Sequence, residues 1–102
     1  MQSRLMKWYV YILIDPRDGL PFYVGLTRNP KKRSVAHTSD WCSRARNRCQ
    51  EIKSAGDHHE LEVVAEFSDR TYASQYEKWL ISDIGKDGNL LNTHYNEGRR
   101  AR

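Results

Sequence analysis

Two runs rich in tyrosine and β-branched residues, separated by a short turn-forming segment, constrain the fold of this chain most strongly. The runs cover residues 8–14 and 22–27, and the segment between them contains Pro16 and Gly19. Proline presets the backbone of a turn, and glycine supplies the conformational freedom needed to leave it. The pattern therefore predicts a β-hairpin near the start of the chain.

The first run carries large side chains on both of its faces. Its two sets of alternating positions are all apolar or aromatic: Val10, Ile12 and Ile14 on one side, Tyr9, Tyr11 and Leu13 on the other. A strand covered on both faces is typical of the interior of a sheet. We therefore expect this run to be the central strand.

A helix should begin directly after the hairpin. Asn29 is a favoured residue at the position before a helix, and Pro30 suits the first helical position, where no amide hydrogen is needed. Arg33 and His37 follow one turn apart, so both should lie on the same face of this helix.

The remainder of the chain predicts one more strand and two more helices. The second helix should run from residue 41 to about 55, with Ser39 or Asp40 as its cap and Gly56 as its end. The third strand is expected at residues 61–67. The third helix should cover residues 71–84, with Asp69 as its cap and Gly85 as its stop. The inward-facing candidates of the second helix are Trp41, Ala45, Cys49 and Ile52.

The predicted order β-β-α-α-β-α defines a small α+β domain of three strands with helices packed against them. A chain of 102 residues is one domain of this kind, with a core at about residues 8–98 and a basic tail at residues 99–102. A helical repeat in the third helix predicts that most of one stripe lies in the core. Its members are Tyr72, Tyr76, Trp79, Leu80, Asp83 and Ile84.

Basic side chains are concentrated in the first half of the chain. Residues 1–53 carry a net charge of +7, whereas residues 54–98 carry −6. A basic surface of this kind suits a polyphosphate partner, and an ordinary mixed-charge surface is the alternative. The candidate nucleic-acid-binding residues are Arg28, Lys31, Lys32, Arg44 and Arg48, of which the last two lie one helical turn apart.

Other sequence features exclude several classes of protein. Cys42 and Cys49 have no companion cysteines at metal-ligand spacing and lie too far apart on a helix to form a disulfide. The adjacent His58 and His59 diverge in direction, so they do not predict a zinc site. Residues 1–7 contain no apolar run of signal-peptide length, and no segment is long enough to span a membrane. We expect a cytoplasmic protein that does not bind membranes.

Taken together, several short motifs resemble the GIY-YIG endonuclease domain. They are Tyr9-Val10-Tyr11, Tyr23-Val24-Gly25, the helical pair Arg33 and His37, Glu77 in a helix, and Asn92 after two leucines. The resemblance covers residues 8–98. It implies a three-stranded antiparallel sheet flanked by helices, and a nuclease that uses Mg²⁺ or Mn²⁺ to cleave nucleic acid, DNA in preference to RNA.

The resemblance also implies a role for each matching residue. Tyr11 would activate or orient the attacking water, and Tyr23 would position it by hydrogen bonding. Arg33 would stabilise the extra negative charge of the phosphorane. Glu77 would hold one divalent metal ion. His37 and Asn92 would support these groups.

Two positions depart from the family pattern. Tyr9 replaces the first glycine of the GIY triplet, and Leu26 stands where many members carry a lysine or another polar residue. The second departure removes one candidate base and favours Tyr11. Site-specific members also often carry a separate DNA-recognition module. We therefore expect weak sequence preference, a partner protein that supplies specificity, or recognition of an unusual DNA structure.

The sequence leaves the route of the proton open. An unperturbed phenol has a pKa of about 10, so only roughly 0.1% is ionised at pH 7. Arg33 could raise that fraction by favouring the phenolate, or Tyr11 could pass its proton to His37 or to water. Two further alternatives remain: a catalytically inactive DNA- or RNA-binding module on the same fold, and a basic protein that binds another protein.

Overall fold

Three antiparallel strands form the sheet that positions every other element. The computed structural model describes residues 7–39, 45–85 and 90–91. The strands are β1 (Trp8–Asp15), β2 (Leu20–Thr27) and β3 (Glu60–Phe67), and their order in the sheet is β2-β1-β3. The predicted hairpin and the central position of the first strand are confirmed, and β2 begins two residues earlier than predicted.

The turn between β1 and β2 follows from its proline and glycine. The carbonyl oxygen of Asp15 accepts hydrogen bonds from the backbone N–H of Asp18 at 3.3 Å and of Gly19 at 2.7 Å. Gly19 has a φ of 73°, a backbone conformation that other residues adopt only at a cost. These contacts close the hairpin directly after Asp15.

A β-bulge interrupts the pairing of β1 with β2. Leu13 pairs with Tyr23 and Ile14 pairs with Pro21, so Phe22 has no cross-strand partner. Phe22 and Tyr23 consequently pack in the same cluster, together with Tyr11 and Leu13. Tyr11 itself pairs with Gly25.

Three helices follow the sequence signals closely at most of their ends. They are α1 (Pro30–Ser39), α2 (Arg46–Ser54) and α3 (Arg70–Ile84). The side chain of Asn29 accepts a hydrogen bond from the N–H of Lys32 at 3.1 Å, and that of Asp69 accepts one from Thr71 at 2.7 Å. Both predicted N-caps are therefore confirmed, as is Gly85 at the end of α3.

The second helix is shorter than the sequence predicts. It begins at Arg46, with Ala45 as an N-cap that has no side-chain hydrogen bond, rather than at residue 41. The expected caps Ser39 and Asp40 and the inward-facing candidate Trp41 have side chains outside the described part of the structure, so these three assignments stay predictions. The remaining inward-facing candidates, Ala45, Cys49 and Ile52, are buried as predicted.

The sheet separates two hydrophobic clusters, because neighbouring residues of β1 point to opposite faces. The first cluster joins Val10 of β1 to the apolar face of α3 and contains Val10, Val24, Ala73, Leu80, Ile81 and Leu90. The second joins Tyr11 of β1 to α2 and contains Tyr11, Leu13, Phe22, Ala45, Cys49 and Ile52. α3, which carries Glu77, and α2 are thus fixed on opposite faces of the sheet.

The predicted core stripe of α3 is wrong for two of its aromatic residues. Tyr72 is 61% exposed and Trp79 is 56% exposed. The helix instead buries Ala73, Glu77, Leu80 and Ile81. A narrow sheet covers only one side of the helix, so the adjacent aromatic positions remain at the surface.

A buried carboxylate holds the hairpin to α2. Asp15 is only 1% exposed, and its Oδ2 lies 2.7 Å from Nη2 of Arg17 and 2.9 Å from Nε of Arg48. Hydrogen bonds from Arg17, reinforced by Arg48, hold the pKa of Asp15 well below its ordinary value despite its burial. The cluster therefore ties β1 to the second helix through a charged contact.

Candidate active site

A buried hydrogen bond between a phenol and an imidazole lies at the centre of the candidate site. The hydroxyl oxygen of Tyr11 lies 2.6 Å from Nε2 of His37. Tyr11 is 1% exposed and His37 is fully buried. Tyr11 belongs to the central strand and His37 to the last turn of α1, so the contact joins the sheet to the first helix.

Gly25 makes this position of the Tyr11 ring possible. A Cβ atom added to Gly25 would lie 2.7 Å from Cε2 of Tyr11 and closer still to its Cζ and its hydroxyl oxygen. Because the two residues are cross-strand partners, the ring of Tyr11 lies directly over the Gly25 backbone. The glycine of the second motif is therefore required for close packing rather than for an unusual backbone angle.

Tyr23 completes a group of three rings. Its ring centroid lies 5.0 Å from that of His37, with an interplanar angle of 69°, and 6.5 Å from that of Tyr11. The Tyr11 and His37 centroids are 5.8 Å apart. Such edge-to-face and tilted contacts are favourable for aromatic rings. Tyr11 of the first motif and Tyr23 of the second thus both contact His37 of α1.

Arg33 and Glu77 both act electrostatically on the phenol of Tyr11. Burial raises the pKa of Tyr11 well above its ordinary value, and the proximity of Tyr23 raises it further. A hydrogen bond and the positive charge of Arg33 act in the opposite direction, while the negative charge of Glu77 raises the pKa. The structure therefore brings Tyr11 together with Tyr23, His37 and Arg33, and places Glu77 within electrostatic range of Tyr11.

The expected effect of Arg33 on the pKa of Tyr11 is present, but burial outweighs it. Arg33 does favour the phenolate, but desolvation of the buried hydroxyl is the larger effect. Tyr11 consequently remains a neutral phenol at pH 7. Of the proton routes that the sequence left open, transfer from Tyr11 to His37 is the one that this hydrogen bond favours.

Glu77 has an unusual environment for a helical glutamate. It is only 8% exposed, on the face of α3 that packs against the sheet. Among the described residues, no group of three or more His, Cys, Asp or Glu side chains could hold a metal ion. One carboxylate is still a suitable protein ligand for Mg²⁺, which takes its other ligands from water and substrate phosphates. The carboxylate of Glu77 is therefore a ligand of the chemistry that a hard divalent cation takes, with the remaining ligands left to water and phosphate.

The candidate nucleic-acid-binding residues have different environments. Lys31 and Lys32 are exposed in the first turn of α1, and the guanidinium of Arg28 lies 5.0 Å from the ring centroid of Trp8. Arg48 binds Asp15, an interaction that the sequence did not suggest and that favours a structural role. Arg44 and the candidate support residue Asn92 lie outside the described residues.

Sequence reasoning also missed a link between α1 and the segment before β3. Nε2 of His59 lies 3.0 Å from the carbonyl oxygen and 3.1 Å from the hydroxyl of Ser34. Burial and the neighbouring His58 lower the pKa of His59, although the hydrogen bond with Ser34 opposes them. His59 therefore fixes the helix that carries Arg33 and His37, a role that no local signal indicates.

Comparison with known families gives a match that covers nearly the whole chain. The model of the GIY-YIG catalytic domain matches residues 7–99. No curated protein and no solved structure matches the chain significantly. Within the described residues, no helix is long and apolar enough to cross a membrane.

Proposed function

Because this chain belongs to the GIY-YIG nuclease family, we propose that it is a metal-dependent endonuclease that hydrolyses phosphodiester bonds in DNA in preference to RNA. The observation that carries the proposal is the buried Tyr11–His37 hydrogen bond, with Arg33 and Glu77 close enough to act on the same phenol. Charged groups that act on a buried ionisable side chain occur more often at functional sites than in packed cores.

Tyr11 and His37 form a path for the proton of the attacking water. The raised pKa of Tyr11 means that no phenolate is present before the reaction. The water therefore transfers its proton to the Tyr11 oxygen as the phenol transfers its own proton to Nε2 of His37. Tyr11 remains neutral, His37 becomes an imidazolium ion, and the hydroxide forms the new bond to phosphorus. The bond from phosphorus to the leaving sugar oxygen breaks, and that oxygen takes up a proton from solvent. This scheme requires Nε2 to be unprotonated at the start.

Arg33 stabilises the charge that develops on the phosphate. Attack by water produces a phosphorane with additional negative charge on its oxygens. A guanidinium remains protonated throughout and presents several donors in a fixed geometry. Donors placed where charge develops are commonly the largest single contribution to catalysis. Tyr23, packed against His37, keeps the imidazole oriented and helps to position the water.

Glu77 would hold the divalent cation, Mg²⁺ or Mn²⁺. Its side chain is largely withdrawn from solvent and its charge acts on Tyr11, so a cation bound there would also act on the group that receives the proton of the water. When bound, such a cation would supply positive charge that stabilises the reacting phosphate. Because one carboxylate is a sparse site, metal affinity should be weak until the phosphate adds a ligand.

The substrate backbone would follow the cations at the start of α1. Arg28, Lys31 and Lys32 precede Arg33 along the chain, and the two lysines are exposed on the first turn of the helix. Phosphate contacts of this kind set the position of a nucleic acid without reading its sequence. A surface of this type supports weak sequence preference, with specificity supplied by DNA structure or by a partner protein.

The test removes the charge of Glu77 while its size is retained. We expect Glu77→Gln to abolish cleavage of plasmid DNA in Mg²⁺, to leave DNA affinity in EDTA within about twofold, and to retain the fold. Mn²⁺, which also accepts oxygen ligands, would restore only a trace of activity. The matched control is Glu62→Gln on β3, an exposed glutamate that should retain full activity.

Two results would contradict the proposal. If Glu77→Gln cleaves at the wild-type rate, the metal is held elsewhere and the assignment of Glu77 is wrong. If the unaltered protein cleaves plasmid DNA in no divalent ion yet binds DNA in EDTA, the chain is a binding module on the same fold.

A further inference from the structure

The helix that carries Arg33 and His37 is held in place differently from the other two helices. α2 contributes Cys49 and Ile52 to one hydrophobic cluster, and α3 contributes several buried apolar residues to the other. Among the described residues, neither cluster contains a side chain of α1. His37 is the one buried side chain among those described in α1, and Val35 is 72% exposed. Apolar packing therefore does not fix the position of this helix.

The space between α1 and α2 is not filled by side chains. An open cavity of about 380 Å³ lies there, and its lining includes Ser34 and Thr38 of α1, Cys49 and Lys53 of α2, and His58 and His59 of the segment that follows α2. Close packing is what normally resists small movements of a helix. Individual hydrogen bonds therefore take on more of that role for α1.

Two side chains reach the backbone of α1 from this side. The amide Nε2 of Gln50, in α2, donates a hydrogen bond to the carbonyl oxygen of Thr38 at 2.8 Å. Nε2 of His59 lies 3.0 Å from the carbonyl oxygen of Ser34, and because a carbonyl oxygen only accepts, the imidazole donates from this nitrogen. Thr38 lies in the last turn of α1, where carbonyl oxygens have no partner within the helix. Ser34 and Thr38 are one turn apart, so the two bonds hold the same side of α1.

Each of these two anchored residues is the chain neighbour of a candidate catalytic residue. Ser34 follows Arg33, and Thr38 follows His37. Nε2 of His37 is 2.6 Å from the hydroxyl oxygen of Tyr11. A displacement of the helix by about 1 Å would lengthen that contact beyond hydrogen-bond distance. The anchors therefore control the geometry of the proton path.

From these contacts we propose that Gln50 and His59 are positioning residues for the reaction. They act by holding α1 where His37 contacts Tyr11 and where Arg33 acts on the same phenol. The inference rests on the proposed function for its effect on the cleavage rate, whereas the position of His37 can be measured without cleavage. Because both residues act through α1, their loss should slow the chemical step and leave DNA binding almost unchanged.

The kinetic test removes the donor of Gln50 while its size is retained. We expect Gln50→Met to lower the single-turnover rate on plasmid DNA, at saturating protein, about tenfold and to leave DNA affinity in EDTA within about twofold. Gln50→Lys should recover most of the rate, because a lysine can donate to the last carbonyl oxygens of a helix. A space-filling role for Gln50 would give the opposite order, with methionine the better replacement.

His59 is tested in the same way. His59→Leu should lower the rate about tenfold, and His59→Gln, whose amide can donate from a similar position, should retain most of it. The double variant Gln50→Met with His59→Leu should lose about 100-fold, as expected for a reacting group misplaced by about 1 Å.

A spectroscopic measurement follows the position of His37 directly. In protein labelled with ¹⁵N-histidine, the Nε2 resonance of His37 reports its hydrogen bond with Tyr11, and Tyr11→Phe supplies the reference without that bond. We expect Gln50→Met to move the resonance toward the Tyr11→Phe position and Gln50→Lys to leave it in place. Backbone hydrogen exchange should accelerate about tenfold in α1 of Gln50→Met and stay unchanged in α3, whereas a general loss of stability would accelerate both.

Two exposed neighbours supply matched controls. Asn47 lies one turn before Gln50 in α2, and His58 precedes His59; both side chains are exposed. Asn47→Met and His58→Leu introduce the same apolar groups and should leave the rate, the DNA affinity and the His37 resonance unchanged. Thermal unfolding verifies that each variant is folded.

The outcomes separate this inference from the proposed function. The inference is wrong if Gln50→Met and His59→Leu cleave at the wild-type rate, or if their loss of rate is matched by an equal loss of DNA affinity. It is also wrong if Gln50→Lys is as slow as Gln50→Met. If the unaltered protein cleaves nothing in Mg²⁺, the proposed function fails; a displaced His37 resonance in Gln50→Met then still supports the anchoring of α1, and an unchanged resonance overturns it.

Discussion

Substitution of Gly25 by alanine should separate the position of the Tyr11 ring from the stability of the sheet. The added methyl group would lie less than 3 Å from the far end of the Tyr11 ring, closer than carbon atoms can approach. The glycines with positive φ among the described residues are Gly19 and Gly56, so the backbone at Gly25 itself accepts alanine. The ring must therefore move, and the hydrogen bond from its hydroxyl to His37 must be lost.

The expected magnitudes differ for stability and for activity. Overpacking of a core typically costs about 1–3 kcal/mol, and rotation of the ring away from the strand should keep the cost near 2 kcal/mol. For a domain of this size that corresponds to a Tm lower by roughly 10 °C. The rate should fall by about 100-fold or more, because a positioned proton acceptor contributes that much.

Single-turnover cleavage at 20 °C and thermal unfolding give the two measurements. The matched control is Gly19→Ala, where a Cβ meets no atom within 4 Å but the φ of 73° strains the backbone. It should lower the unfolding free energy by about 1–2 kcal/mol and leave the rate unchanged. If folded Gly25→Ala cleaves as fast as Gly19→Ala, the hydroxyl of Tyr11 is not part of the reaction.

Three further changes test other parts of the molecule. Arg33→Ala should lower the single-turnover rate by about 100-fold and weaken DNA binding far less, and equal losses in both would make Arg33 another phosphate contact. Replacing Lys31 and Lys32 by glutamine should reduce the slope of log affinity against log salt by about 2, as measured by anisotropy across salt concentrations. Asp15→Asn should cost about 2 kcal/mol in urea unfolding at pH 7, because hydrogen bonds to the ionised carboxylate are lost. The lowered pKa of Asp15 means that this contribution is fully present above a pH of about 4, the pKa of the group in the unfolded chain, and decreases as the pH falls below that value. A stability difference between Asp15→Asn and the unaltered protein that persists undiminished at pH 2 would contradict the ion-pair explanation.

Most of the fold could be predicted because its signals are local. Pro16 and Gly19 determine the hairpin turn, and the caps Asn29 and Asp69 make hydrogen bonds with residues two or three positions away. The start of α2 could not be predicted in the same way, since Ala45 caps the helix without any side-chain contact. Ala45 is instead fully buried, so the boundary lies at a packing contact rather than at a local cap.

The environments of individual side chains were harder to predict. Trp79 follows the apolar repeat of α3, yet the width of the sheet decides which part of that repeat is buried. Arg48 meets Asp15 across 33 positions of sequence, so no local pattern links them. An isolated glutamate such as Glu77 would be assigned to solvent. Its burial near Tyr11 was anticipated only through the family resemblance, and the catalytic role of both residues stays a prediction.

The bulge at Phe22 places Tyr23 on the same face of the sheet as Tyr11. At the turn, Asp15 pairs with Leu20, and an uninterrupted ladder from that point would pair Tyr23 with Ile12, on the face of the sheet opposite to Tyr11. The additional residue shifts the ladder by one position, so Tyr23 pairs with Leu13 instead. An insertion or deletion in this hairpin therefore preserves the site only if Tyr23 stays opposite Leu13 and Gly25 stays opposite Tyr11. Deletion of Phe22 would leave a regular ladder in which Tyr23 still lies opposite Leu13, on the same face as Tyr11. Deletion of Val24 would instead place Tyr23 opposite Ile12, on the α3 face, if Gly25 kept its pairing with Tyr11.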